Sequence, residues 1–107
     1  MLKAATVYKP KPEEVAARLR GLAQALDKSP SEMADDAGIA RNAWSQFTSE
    51  KEPRVITLNN AYRLIKYGVT LDWIYRGDDS GIKLYLVRSL NAVPVPIVGR
   101  IPSNSQD

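Results

Sequence analysis

Between Gly38 and Phe47 the chain reads GIARNAWSQF. On a helical wheel of about 100° per residue, Arg41, Ser45, Asn42 and Gln46 fall within an arc of roughly 140°, and Ser49 joins them. Ala40, Ala43, Trp44 and Phe47 fall on the other side. One face is made entirely of hydrogen-bonding groups, and the other is small and aromatic. A guanidinium fork, two carboxamides and a hydroxyl on one face suit directional recognition rather than bond-making. An ordinary amphipathic surface helix shows the same separation, so the wheel alone leaves both readings open.

Other chemistries are poorly supplied. The 107 residues include no cysteine and no histidine. This excludes disulfide frameworks, Cys/His metal sites, and catalysis by a cysteine nucleophile or a histidine base. Asp35–Asp36 and Asp78–Asp79 are adjacent carboxylates, but neighbours along a helix do not face each other, and Asp78–Asp79 sits in an expected turn. No enzymatic activity, cofactor or metal is expected. The net charge of +3 is compatible with a nucleic-acid partner and is also common by chance. No apolar run is long enough to span a bilayer. The opening MLKAATVYKPKPEE lacks the apolar core of a signal peptide. The absence of cysteine fits a cytoplasmic protein.

The polar face needs a frame, and the flanking sequence supplies one. Residues 1–11 read as a basic extended arm, either a solvated terminus or a strap along phosphates. Pro12 suits a first helical turn, and Glu13 and Glu14 favour its positive end. Val15, Leu19, Leu22 and Leu26 then mark one helical face. Ser29 is the expected N-cap of a short second helix, PSEMADDAG, which Gly38 ends. A third helix is expected from Arg41 to Thr48, followed by a polar loop containing Pro53. Thr57 is expected to cap a fourth helix through Leu58, Ala61, Leu64 and Ile65, ended by Gly68. Thr70 caps a fifth, LDWIYRG, ended by Gly77. The segment IKLYLVRSL reads as a sixth helix or a strand, and the proline-containing residues 91–107 as extended or disordered.

Two short helices crossing steeply over a tight turn need a small residue inside the first and a residue tolerant of positive φ at the turn. They also need apolar anchors on the second. Ala34, Gly38, and the set Met33, Ala37, Ile39, Trp44 and Phe47 meet these needs. Trp44, Phe47 and Trp73 read as core, because base-stacking platforms would have to be exposed.

The stretch from Leu19 to Asp78 resembles the Cro/C1-type (XRE-like) helix-turn-helix family. The resemblance rests on PSEMADDAGIARNAWSQF and on YGVTLDWIYRGD. It implies an all-α fold: a compact five-helix bundle of the lambda-repressor-like type with a helix-turn-helix. A possible sixth C-terminal helix or strand and flexible tails would complete it. The expected organisation is a basic arm (1–11), a DNA-binding domain (12–78), an extension (79–90) and a tail (91–107). The resemblance further implies a transcriptional regulator, most simply a repressor acting as a homodimer on double-stranded DNA in the nucleoid.

Carried over by position, Arg41, Asn42, Ser45 and Gln46 would face the bases or nearby phosphates. Arginine can bond guanine O6 and N7 in a fork, and Asn or Gln can bond adenine N6 and N7. Ser45 could serve either a base edge or a phosphate. Flanking phosphate contacts are expected from Lys28 and Ser29 at the start of the second helix, from Lys51 and Arg54 in the loop, and from Asn59 and Asn60 at the next helix start. Any of these side chains is otherwise an ordinary solvated surface group. The chain departs from the family pattern at Ala40, where Ser or Thr is usual as N-cap, and at Pro30, where Gln is frequent. From Pro30 to Glu50 the motif holds Glu32, Asp35, Asp36 and Glu50 against Arg41 alone, so 1 − 4 = −3.

AVPVPIVGRI bears a short likeness to the segment that opens the protease-like domain of self-cleaving phage and SOS-type repressors. The expected Ala-Gly cleavage site is replaced by Pro102 and Ser103, and no peptidase activity is expected. A relic linker, a strand pairing across a dimer and a disordered tail are the alternatives. A second functional class stays open beside DNA binding: an antitoxin or other protein-interaction module whose C-terminal tail or sixth element binds the partner.

Overall fold

The computed structural model describes residues 9–82. The first eight residues of the expected arm lie outside that range. So do the possible sixth element beyond residue 82 and the 91–107 tail. Within it the protein is all-α and compact, with five α-helices and no β-strand among the described residues.

Helix α1, Pro12–Ala25, starts with proline in its first turn and with Glu13 and Glu14 at its positive end. Val15, Leu19 and Leu22 are fully buried, as their spacing predicts, while Leu26 is only half-buried. Asp27 turns the chain out of α1 at φ 58°, a left-handed conformation that aspartate tolerates better than most residues. Lys28 N donates to Ala23 O at 2.9 Å and Asp27 N to Gln24 O at 3.0 Å, so the last carbonyls are satisfied in a Schellman pattern.

Helix α2, Pro30–Ala37, carries a complete capping box. Glu32 N donates to Ser29 Oγ at 3.2 Å, and Ser29 N donates to Glu32 Oε1 at 2.8 Å. Gly38 ends α2 at φ 77°, and Ile39 N returns to Ala34 O at 2.9 Å. Helix α3, Arg41–Phe47, follows after three residues. It packs on α2 and on α1.

The expected fourth helix is interrupted. Helix α4 covers only Leu58–Tyr62, and Ile65–Tyr67 form a separate 3-10 turn that Gly68 ends at φ 101°. Leu64 N bonds Ala61 O and Tyr67 N bonds Leu64 O, both at 3.0 Å and both three residues back. At three residues per turn, positions i and i+3 eclipse. Ala61 and Leu64 thereby share one inward line, and both are fully buried. Ile65, expected on the apolar face, is 39% exposed. Thr57 stands at the N-cap of α4, but its hydroxyl accepts from Asn60 Nδ2 at 2.9 Å and caps no backbone amide. Helix α5, Leu71–Arg76, is capped as expected, with Trp73 N donating to Thr70 Oγ1 at 3.0 Å.

Trp44 and Phe47 from α3, Met33, Ala34 and Ala37 from α2, and Trp73 and Ile74 from α5 join Leu19 and Leu22 in one core. Ile39 and Ile56 are drawn into it from connecting segments. Arg18 is also fully buried, and its Nε donates to Ile74 O at 3.0 Å, tying α1 to α5.

Candidate nucleic-acid interface

Helix α3 divides as its wheel predicts. Trp44 and Phe47 keep 2% and 6% of their surface, whereas Arg41, Asn42, Ser45 and Gln46 are all exposed. The buried aromatics fix the rotation of the helix about its axis, so the polar side chains face outward by default. Ala40, at the N-cap, supplies no side-chain hydrogen bond to the first turn. At the other end, Thr48 Oγ1 donates to Trp44 O at 2.8 Å, and Arg20 Nη1 reaches from α1 to Thr48 O at 2.7 Å. The following loop is fastened to α3 by Arg54 N donating to Gln46 O at 3.0 Å.

A groove of about 370 Å³ runs between the start of α2 and the polar side of α3, with Pro30, Ser31, Arg41, Ser45 and Ser49 on its walls. Lys28 and Ser29 line a different and larger groove, about 610 Å³, which opens toward Arg20 and Gln24 of α1. Pro30, Trp44 and Thr48 border both. Arg41 and Ser45 are thus brought together beside the α2 start. Asn42, Gln46, Lys51, Arg54, Asn59 and Asn60 line neither groove, and all but the half-buried Asn60 are exposed.

Several expected contact residues already have partners. The Ser29 hydroxyl and amide are both used in the capping box, with the Glu32 carboxylate at the positive end of α2. Lys28 Nζ lies 3.9 Å from Asp36 Oδ2. Asn60 spends its Nδ2 on Thr57. Arg41 is held by Asp35 in a fork, Nε to Oδ1 at 3.0 Å and Nη2 to Oδ2 at 2.6 Å. This hydrogen bonding lowers the Asp35 pKa and raises that of Arg41.

The local acidity is therefore dispersed. Glu32 sits in the cap, Asp35 on Arg41, and Glu50 3.9 Å from Arg20. Asp36 accepts from the Tyr67 hydroxyl on its side chain, and Lys66 Nζ donates to its carbonyl at 2.5 Å. The hydrogen bond from Tyr67 lowers the Asp36 pKa, while burial and then that same bond raise the phenol. Neither Asp35 nor Arg20 is singled out by residue type or helical spacing. An opposite charge six residues before Arg41, across a glycine turn, is the one sequence signal that points to Asp35. Arg20 carries no comparable signal.

Compared with known proteins, the sequence matches no family model and no curated protein, and the fold matches no solved structure.

Proposed function

We propose that this protein is a sequence-specific double-stranded DNA-binding regulator of the Cro/C1 type, in a lambda-repressor-like arrangement, working as a homodimer. The observation that carries this reading is the division of α3. Two aromatics anchor it against α2 and the core while Arg41, Asn42, Ser45 and Gln46 stay exposed on its other side. Those residue types match the donor and acceptor patterns of base edges in the major groove. A helix about 10–12 Å across with its side chains also fits that groove's width. Asp35, Asp36 and Glu50 lie 2.6, 3.9 and 3.9 Å from a cation, Arg41, Lys28 and Arg20 respectively, which offsets part of the repulsion these carboxylates would create toward phosphates. In a dimer, two copies of α3 about 34 Å apart would meet successive turns of one duplex face.

Selection of bound duplexes from a random pool, at two salt concentrations, tests the proposal. A near-palindromic consensus that persists at the higher salt supports it. Binding that is equally strong on all sequences and vanishes with salt would remove it, because phosphate contacts alone behave that way.

One observation favours a second reading, a protein-interaction module such as an antitoxin. Leu58, Tyr62 and Ile65 are 51%, 56% and 39% exposed at i, i+4, i+7 spacing. Exposed apolar patches often mark protein contacts. Replacing all three with polar residues separates the readings. Loss of a protein partner with selective DNA binding retained would assign the stripe to that partner.

A further inference from the structure

We propose that Asp35 is a positioning residue that sets which edge of the Arg41 guanidinium is offered to a base, making Arg41 a reader of guanine. The inference rests on α3 being the recognition helix. Arg41 is the first residue of α3, and Asp35 lies in the last turn of α2. The left-handed turn at Gly38 folds these two positions against each other, six residues apart.

The geometry of the fork is specific. A guanidinium has five N–H groups, one on Nε and two on each terminal nitrogen. Asp35 takes the Nε hydrogen and one Nη2 hydrogen, the side edge of the plane. Both Nη1 hydrogens and the second Nη2 hydrogen are left. One from each terminal nitrogen point in parallel away from the side chain, as an end-on fork. Two parallel donors match two adjacent acceptors. Among the four bases, only guanine shows that pair in the major groove, as O6 and N7. Adenine shows an acceptor beside a donor, thymine a single acceptor, and cytosine a donor.

Two consequences follow from the same carboxylate. Holding an otherwise free arginine in one orientation before binding removes part of the ordering cost at the interface. A negative charge beside the duplex also opposes phosphate attraction. Asp35 therefore raises discrimination while lowering sequence-blind affinity. A residue that merely stabilised the fold would not move these two quantities in opposite directions. Both side chains are more than half exposed, so either can be changed without disturbing the core.

The test uses the full chain, selected against random duplex pools as wild type, Asp35→Ala, Asp35→Glu, Arg41→Ala and the double Asp35→Ala/Arg41→Ala variant. Wild type should enrich guanine at one position of each half-site. Asp35→Ala should reduce that preference by about 2- to 12-fold, the range for freeing one long side chain. Binding to unrelated duplex should hold or tighten. Asp35→Glu should recover part of the preference, and once Arg41 is alanine Asp35→Ala should alter base preference no further, while binding to unrelated duplex still tightens. Full guanine preference in Asp35→Ala would overturn the proposal, as would an equal effect of that change on base preference with and without Arg41. Wild-type protein that enriches no sequence overturns the recognition-helix reading itself, and the role of Asp35 with it.

Discussion

Arg20, on α1, donates from Nη1 to the carbonyl oxygen of Thr48 at 2.7 Å, and so closes the C-terminal end of α3 from a different helix. The same nitrogen lies 3.4 Å from Ser49 O. A cation at this end suits the negative pole of the helix as well as its free carbonyls. Arg20→Met, which keeps the apolar stem, should cost about 1 kcal/mol, since the side chain is partly exposed and screened. Chemical denaturation would read this as a lower midpoint with an unchanged slope. An unaltered midpoint would show that the contact contributes nothing.

The two helices of the motif start differently, and opposite substitutions should reveal it. Ser29→Ala removes the hydroxyl of a complete capping box and should cost about 1 kcal/mol. Ala40→Ser places a hydroxyl where α3 has no cap and should stabilise by a similar or smaller amount, about 0.5–1 kcal/mol. Thermal melts of both variants beside wild type should show shifts of opposite sign. A destabilised Ala40→Ser protein would mean that the backbone before α3 cannot present a capping oxygen.

Gly38 holds φ 77°, and a Cβ built there would come within 3.2 Å of Arg63 Nη1. That arginine end is flexible and can withdraw, so backbone conformation sets the cost. Gly38→Ala should lose about 1–2 kcal/mol, the penalty for a left-handed residue with a side chain. Gly38→Asn should lose less, because asparagine tolerates that region better. Equal losses from both would point to a steric cause instead.

The pH dependence of stability has a sign set by carboxyls whose pKa falls on folding, Asp78 among them. The folded-state pKa values of Glu32, Asp35 and Asp36 are lowered, chiefly by hydrogen bonds from Ser29, Arg41 and Tyr67 respectively. A group depressed on folding stabilises above its unfolded pKa, and that contribution is lost as pH falls through the folded value. Tyr67 runs the other way. Its raised pKa stabilises below the ordinary phenol value of about 10 and is lost as pH rises beyond it. With no histidine in the chain, melting temperature should be nearly flat from about pH 6 to 8 and should fall below about pH 4. Asp36→Asn should shrink the acid fall and also the alkaline one. A variant that changed only the acid limb would uncouple Tyr67 from Asp36.

Much of the scaffold could be read before folding was considered. The Val15–Leu19–Leu22 spacing found α1, and Ser29 and Thr70 found the starts of α2 and α5. Gly38 stands in the left-handed conformation expected of it, and Gly68 and Gly77, expected to end their helices, do so in the same conformation. The inward turn of Trp44 and Phe47 was equally legible, because apolar periodicity dictates which side of a helix loses water. Where local reading failed, it failed at α4, whose winding tightens to place Ala61 and Leu64 on one buried line. Thr57 failed with it, since a neighbouring side chain claims its hydroxyl.

The sequence by itself determined where α1, α2 and α5 begin, where α2 and α5 end, and which way α3 faces. Those features depend on backbone sterics, capping groups and hydrophobic spacing within a few residues. Only the tertiary structure decided that Arg20 closes α3, that Tyr67 and Lys66 converge on Asp36, and that Arg18 is carried into the core. The Asp35–Arg41 fork belongs between the two cases. Its charges can be read along the chain, but their alignment requires α2 and α3 to meet at the angle that the Gly38 turn and the buried aromatics impose. A hydrogen bond depends on tenths of an ångström and on direction, and only packing supplies both.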